Sequence, residues 1–148
     1  MKSDTGVASS LKEVPLFEGL SDRELRDVIK HGRVVEHRDG SEVVHEGHKT
    51  AVGFHLILDG QANVVQAGEV QHQIRAGDYF GEIAVLDGKP RTATVRASGP
   101  LRTFSITAWD FAPLLDAHPT MARTLLIGLC AHVRALEGNT PGTGSQTT

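Results

Sequence analysis

The sequence predicts a mainly β domain, a closed β sandwich or jelly roll, bracketed by helices at both ends. Three observations predict it. Apolar residues recur with a period of two between Arg33 and Ile106, turn signals built around glycine punctuate the same stretch, and the helical period holds on either side. Many short strands at such spacing close best into a roll, because closure protects the sheet edges.

In chain order, Met1 to Ser10 is small and polar and reads as a flexible tail, as does the Gly-, Thr- and Ser-rich end from Gly138 to Thr148; the folded part is expected over 11–137. The first helix has a full start signal. Ser21 stands at the N-cap with Glu24 at the capping-box position, and Leu20 and Leu25 are spaced as a hydrophobic staple. Leu25, Val28 and Ile29 form its apolar face, and Gly32 is expected to end it. Strand segments follow at Val34-Val35, Val43-Val44, Phe54 to Leu58, Ala62 to Val65, Ile74, Thr94-Val95 and Phe104 to Ile106. Turns at Asp39-Gly40, Glu46-Gly47, Asp59-Gly60, Ala67-Gly68, Ala76-Gly77, Asp87-Gly88 and Ser98-Gly99-Pro100 separate them. Thr107 can cap a helix carrying Trp109, Phe111, Leu114 and Leu115. His118-Pro119 breaks that helix, since a residue before proline avoids the helical region, and Pro119 opens a second one to about Glu137.

The bulk numbers narrow the function. A length of 148 residues suits one domain, and 39% hydrophobic with 22% charged residues is ordinary for a globular chain. Aromatics at 5% make the core aliphatic, and a net charge of −3 argues against a nucleic-acid-coating surface. No apolar run has bilayer-spanning length and the polar start is no signal peptide, so no membrane partner and a cytoplasmic location are expected. Cys130 is the one cysteine, which excludes an internal disulfide.

The chemistry concentrates in Phe80-Gly81-Glu82-Ile83-Ala84-Val85-Leu86, the Asp87-Gly88 turn, and Pro90-Arg91-Thr92-Ala93-Thr94-Val95. Gly81 permits a close backbone approach. Glu82 to Leu86 can form a short helix whose free N–H groups converge on one spot, and Ala84 is small enough to leave that spot open. Arg91 can present a planar fork to two phosphate oxygens, and Glu82 can accept a hydrogen bond from a hydroxyl. Phosphate and hydroxyl on one small ligand point to a nucleotide.

This segment closely resembles the phosphate-binding cassette of the cyclic-nucleotide-binding domain family, which includes the catabolite activator protein and the regulatory subunits of cyclic-AMP-dependent kinase. The resemblance extends to Leu16-Phe17-Glu18-Gly19-Leu20-Ser21, Leu58-Asp59-Gly60 and Ala76-Gly77-Asp78. It implies an eight-stranded β roll (a jelly roll or double-stranded β-helix) with an N-terminal helix, a short cassette helix and two C-terminal helices. It further implies that Arg91 pairs with the cyclic phosphate and Glu82 with the ribose 2′-hydroxyl. Backbone groups at Gly81, Ile83, Ala84 and Thr92 would complete the cradle, and Val64 and Ile74 would line the base pocket. Cyclic AMP is the expected ligand on family habit. Cyclic GMP is the alternative, since a hydroxyl at Thr92 favours guanine in some relatives. The competing reading makes Glu82 and Arg91 a surface ion pair on an empty roll, with the chain a structural adaptor for protein partners.

Eight histidines raise a metal site, but His45-Glu46-Gly47-His48 has neither cupin nor zinc-protease spacing, and His55 falls out of phase with Phe54, Leu56 and Leu58 and is expected at the surface. No nucleophile has a base beside it, so no enzyme, no metal and no catalytic cofactor are expected. On the last helix Leu125, Leu129, His132 and Leu136 form a stripe, thickened by Leu126 and Val133. It serves the module's own packing, a homodimer seam or a lid over the ligand. Arg123, His132 and Arg134 are candidates to contact the base. No helix-turn-helix follows, so direct DNA reading is not expected. The sequence therefore reads as a sensor that passes ligand binding through its C-terminal helices to an effector protein or domain.

Overall fold

A computed structural model describes residues 3–47 and 53–138, with side chains from Ala8 onward in the first helix. Helix α1 (Ser3–Lys12) and a 3₁₀ turn (Pro15–Phe17) lead into α2 (Asp22–Lys30). Strands β1 (Gly32–His37), β2 (Glu42–Val44), β3 (Phe54–Gln66), β4 (Glu69–Arg75) and β5 (Tyr79–Phe80) follow. The short helix α3 (Glu82–Asp87), strand β6 (Thr94–Ile106) and helices α4 (Ala108–Ala117) and α5 (Pro119–Glu137) complete the chain. All strand pairs are antiparallel. The mainly β architecture with flanking helices is therefore as the sequence predicts. Among the described residues no helix is long and apolar enough to cross a membrane.

The spine of the roll is the β3–β6 pair, in register from Phe54↔Ile106 to Val65↔Thr94. One half of this pair takes β1 and β5 as neighbours; the other half takes β2 and β4. The described strands number six instead of the expected eight. Asp59-Gly60 and Ser98-Gly99-Pro100 bend β3 and β6 at register shifts without ending them. Gly60 is needed at that bend because its φ is +96° and a Cβ would strike the Pro100 carbonyl oxygen.

Two hydrophobic clusters use opposite faces of the spine. Phe54, Leu56, Phe104 and Ile106 pack against Leu25 and Val28 of α2, Phe111 and Leu114 of α4, and Met121 and Leu125 of α5. Phe54 stacks on Phe111 with ring centroids 4.5 Å apart. Ile57, Val64, Ile74, Phe80, Val95 and Leu101 fill the inside of the roll. Because the first half of β3 is covered on both faces, His55 is only 2% exposed, contrary to the surface position that strand alternation predicts.

Two boundaries also depart from expectation. The stretch read as a polar tail is helical from Ser3, and Leu11 at its end is fully buried in the helix-side core. Docking of that leucine holds a helix whose intrinsic propensity is weak. Gly32 starts β1 instead of capping α2, and its missing Cβ makes room for the Phe104 ring. The rest of the expected C-terminal tail, 139–148, and His48 lie outside the described residues.

The helix starts follow local chemistry. Ser21 and Glu24 form the full capping box: the Glu24 N–H donates to Ser21 Oγ at 3.1 Å, and the Ser21 N–H to Glu24 Oε1 at 2.9 Å. Thr107 is the N-cap of α4, but its hydroxyl makes no capping bond. His118 ends α4 and is buried, with Nε2 2.7 Å from Asp27 Oδ2, so the α4–α5 junction is tied to α2.

Candidate functional site

Strand β5 ends at Phe80, whose side chain is fully buried in the roll. Gly81 then turns the chain into α3 with φ +93°. A Cβ there would collide with the Gly53 carbonyl oxygen and lie 3.0 Å from Arg91 Nη1, so only glycine fits this turn. Gly88 (φ +71°) closes α3 and donates its N–H to Ala84 O at 2.9 Å. The following segment is pinned from two sides. The Gly47 N–H donates to Arg91 O at 2.9 Å, and Gln66 Nε2 donates to Thr92 O at 2.9 Å.

The arginine thus delivered to the turn is 5% exposed. Its Nη1 donates to Gly81 O at 3.0 Å and its Nη2 to Gly53 O at 3.1 Å, while Nε has no partner. Glu82 is 3% exposed, and its Oε1 is unpartnered. Burial pushes the Glu82 carboxyl up to about 7, against the opposing pull of its own backbone N–H and the Arg91 charge. The two residues are near enough to feel each other's charge but share no hydrogen bond or ion pair among the described residues. An exposed Glu82–Arg91 ion pair is therefore not what the fold contains.

Gly81, Ile83, Ala84, Arg91 and Thr92 meet around a small cavity of about 10 Å³, with Val44 and Ala93 completing its wall. Glu82 does not line it. Nor do Val64 and Ile74, which sit in the roll core with Phe80 and Ala93.

A family model described as the cyclic nucleotide-binding domain matches residues 34–118, more than half of the chain and the whole of this turn. The chain belongs to the cyclic nucleotide-binding domain family. It is 36% identical over 110 residues to a cAMP-dependent protein kinase regulatory subunit of Blastocladiella emersonii, a match that covers 71% of this chain and 27% of that protein. The chain thus spans less than a third of the length of that curated relative. Among solved structures, the regulatory domain of Toxoplasma gondii PKA with cAMP superposes with TM-score 0.76 at 26% identity, over 88% of this chain and 50% of the other. The catabolite activator protein of Thermus thermophilus shares the fold, with TM-score 0.76 at 21% identity over 83% of this chain and 60% of the other.

In this cyclic nucleotide-binding domain, sequence reasoning missed three residues of the turn's surroundings. Gly53 offers the carbonyl that holds Arg91 Nη2, a contact between residues remote in sequence that no local motif marks. Val44 walls the cavity. His55 stacks on Phe80 with ring centroids 5.0 Å apart, and its Nδ1 lies 2.7 Å from Ser105 Oγ. Burial, then the nearby Arg91 charge, pulls the His55 imidazole down to about 3, so it is neutral at physiological pH. Tyr79 of β5 packs by its ring against Phe54, and its hydroxyl abuts Gly128 of α5. Burial raises the Tyr79 hydroxyl above its ordinary range, with the Glu82 charge adding to the shift. No group of three or more His, Cys, Asp and Glu side chains is placed to hold a metal among the described residues.

Proposed function

We propose that this chain is a sensor of a cyclic nucleotide, with cyclic AMP as its ligand, and that it regulates a protein partner or domain without catalysing a reaction. Arg91 pairs with the cyclic phosphate and Glu82 accepts from the ribose 2′-hydroxyl. Backbone groups at Gly81, Ile83, Ala84 and Thr92 complete the cradle, and Val64 and Ile74 present aliphatic surface to the base. The observation that carries this reading is the state of Arg91. It is a buried guanidinium held by two neutral carbonyl oxygens, beside a glutamate whose burial disfavours its own charge. A buried cation without a counter-charge is costly, and a phosphate anion supplies one. The curated relative and the cAMP-bound regulatory domain are the further support for cyclic AMP over cyclic GMP.

Ligand entry sets the response. The cavity holds about one water, so a nucleotide is accommodated as α3 and the Arg91–Thr92 turn part. A phosphate that takes over the guanidinium fork frees the carbonyls of Gly53 and Gly81. Gly53 adjoins Phe54, which stacks on Phe111 of α4, and Gly81 follows the β5 strand whose Tyr79 touches Gly128 of α5. Through these contacts the ligand shifts the population of C-terminal helix positions, by no more than its difference in affinity for them. The exposed apolar residues Leu126 and Val133, on one side of α5, are then available to an effector or to a second copy in a homodimer. A cytoplasmic location fits this role.

Calorimetric titration with cyclic AMP and cyclic GMP in parallel tests the reading, with Arg91→Lys and Arg91→Ala as controls and a thermal melt of each to verify folding. Saturable binding, stronger for cyclic AMP and lost in folded Arg91→Lys, is the expected outcome. No heat from either nucleotide with folded, nucleotide-free protein would instead make the chain an adaptor that acts through its exposed surfaces.

A further inference from the structure

A second cavity, of about 430 Å³, lies between β1, β2, β3, the end of β6 and the start of α4, and shares no lining residue with the cassette. Its volume falls in the range of about 300–1,000 Å³ found for small-molecule sites. Four kinds of group converge there. Val35, Val43 and Ile106 give it apolar walls. Trp109, 66% exposed and without a ring partner among the described residues, offers an indole face at the mouth. Arg33 is exposed there and makes no ion pair or side-chain hydrogen bond among the described residues. Several polar groups are buried against the cavity with capacity to spare. Thr107 Oγ1 and His55 Nε2 have no partner, although His55 is only 2% exposed. The remaining polar lining is already organised: His37 Nε2 lies 3.0 Å from Thr103 Oγ1, which lies 2.9 Å from Ser105 Oγ, which lies 2.7 Å from His55 Nδ1.

The charge balance decides the class of ligand. In a chain of net charge −3, no carboxylate lines this cavity among the described residues. Arg33 contributes a full positive charge. Thr107 and Trp109 at the start of α4 line the same space, where the helix end carries partial positive charge, while Asp110 of the first turn is not part of the lining. An anionic head group meets Arg33 and the α4 start, while an aromatic body meets the indole and the valines.

We infer that this cavity is a second binding site, separate from the cassette, for a small aromatic carboxylate. Occupancy would also be felt at the cassette, because His55 links the cavity to Phe80, the residue before Gly81.

The test uses the whole 148-residue chain, labelled with ¹⁵N, and 2-naphthoate as the probe in two-dimensional NMR. Trp109 is the one tryptophan, so its indole N–H is a single assigned signal. The expected result is a saturable shift of that signal together with the Val43 and Ser105 amides. Arg33→Glu should weaken binding at least tenfold and Arg33→Lys much less, with a dispersed spectrum showing both variants folded. Binding should persist in Arg91→Lys, so loss of the cassette function leaves this site readable. Any of three results would overturn the proposal: shifts centred on Ile83, Ala84 and Thr92, shifts confined to the exposed face of α5, or no saturable shift at low millimolar probe. Unchanged affinity in Arg33→Glu would overturn it equally.

Discussion

Two ionisable clusters in this domain are built on opposite terms: one joins a buried histidine to partly exposed carboxylates, the other is buried throughout. At the junction of α2 with the C-terminal helices, His118 and Asp27 meet at 2.7 Å, and Glu24 lies 3.8 Å from the other ring nitrogen. At the cassette, Arg91 and Glu82 are both more than nine-tenths buried, yet neither satisfies the other. The first cluster ties helices together through His118 Nε2; the second leaves Glu82 Oε1 and Arg91 Nε without partners among the described residues. Buried polar groups in a scaffold are normally paired, and departures from that rule concentrate where ligands bind.

The largest break in this comparison comes from Arg91. Its replacement by lysine keeps the charge but removes the fork, so two charge-assisted hydrogen bonds of about 1.5–3 kcal/mol each are weakened or lost. Affinity for cyclic AMP should fall by roughly a hundredfold or more, read by calorimetry. Stability should change far less, because the fork rests on neutral carbonyls in the unliganded protein.

Glu82→Gln separates the two clusters by pH. A carboxyl whose pKa is raised from 4.5 to about 7 on folding favours the folded state while protonated. That contribution is complete below the ordinary carboxylate range and is lost as pH rises through about 7. At about 1.4 kcal/mol per unit, the glutamine variant should gain up to about 3 kcal/mol over wild type between pH 4.5 and pH 8. Denaturant unfolding at both values checks it, and equal pH profiles would show that the Glu82 charge is not opposed by the fold.

Asp27 should behave in the opposite sense. The His118 hydrogen bond, aided by the His118, His31 and Lys30 charges, holds its carboxyl below the usual range against a smaller cost of burial. Its contribution is present above that range and disappears as pH falls through the lowered value. Asp27→Asn should cost about 1 kcal/mol near neutrality, since the aspartate is partly exposed and solvent weakens the pair. Nucleotide affinity should be nearly unchanged unless the α4–α5 junction shifts with it. The smallest effect is expected of Ser21→Ala, about 1 kcal/mol or less from the lost cap, with no change in ligand binding.

The same contrast governs what could be read in the sequence. The capping box was legible because Ser21 and Glu24 interact within one helical turn. The cassette was legible because its residues are consecutive and their types are demanding: a glycine with positive φ, a small residue, an arginine after a tight turn. What escaped depends on distant chain. The burial of His55 follows from helices covering one face of β3 and the roll covering the other, which alternation within β3 cannot disclose. Gly53 meets Arg91 only because β3 starts beside the cassette. Asp59-Gly60 and Ser98-Gly99-Pro100 read as turns that separate strands, yet the strands run through them, because whether a bend ends a strand is decided by the partner strand, which here bends with it. Helix α1 was missed because its polar residues give no periodic signal and one leucine at its end anchors it.

The β3–β6 spine also constrains how the protein is made. β3 forms hydrogen bonds along nearly its whole length with a strand that begins only at Thr94, and Phe54 finds its partner at Ile106. While the ribosome synthesises the residues from 67 to 106, at about 5–20 per second, β3 has no β6 to pair with for a few seconds. The helix-side core cannot close before Phe104 and Ile106 are made. Completion of the roll therefore waits on the C-terminal half of the chain, a late and cooperative event set by the long-range β3–β6 pairing.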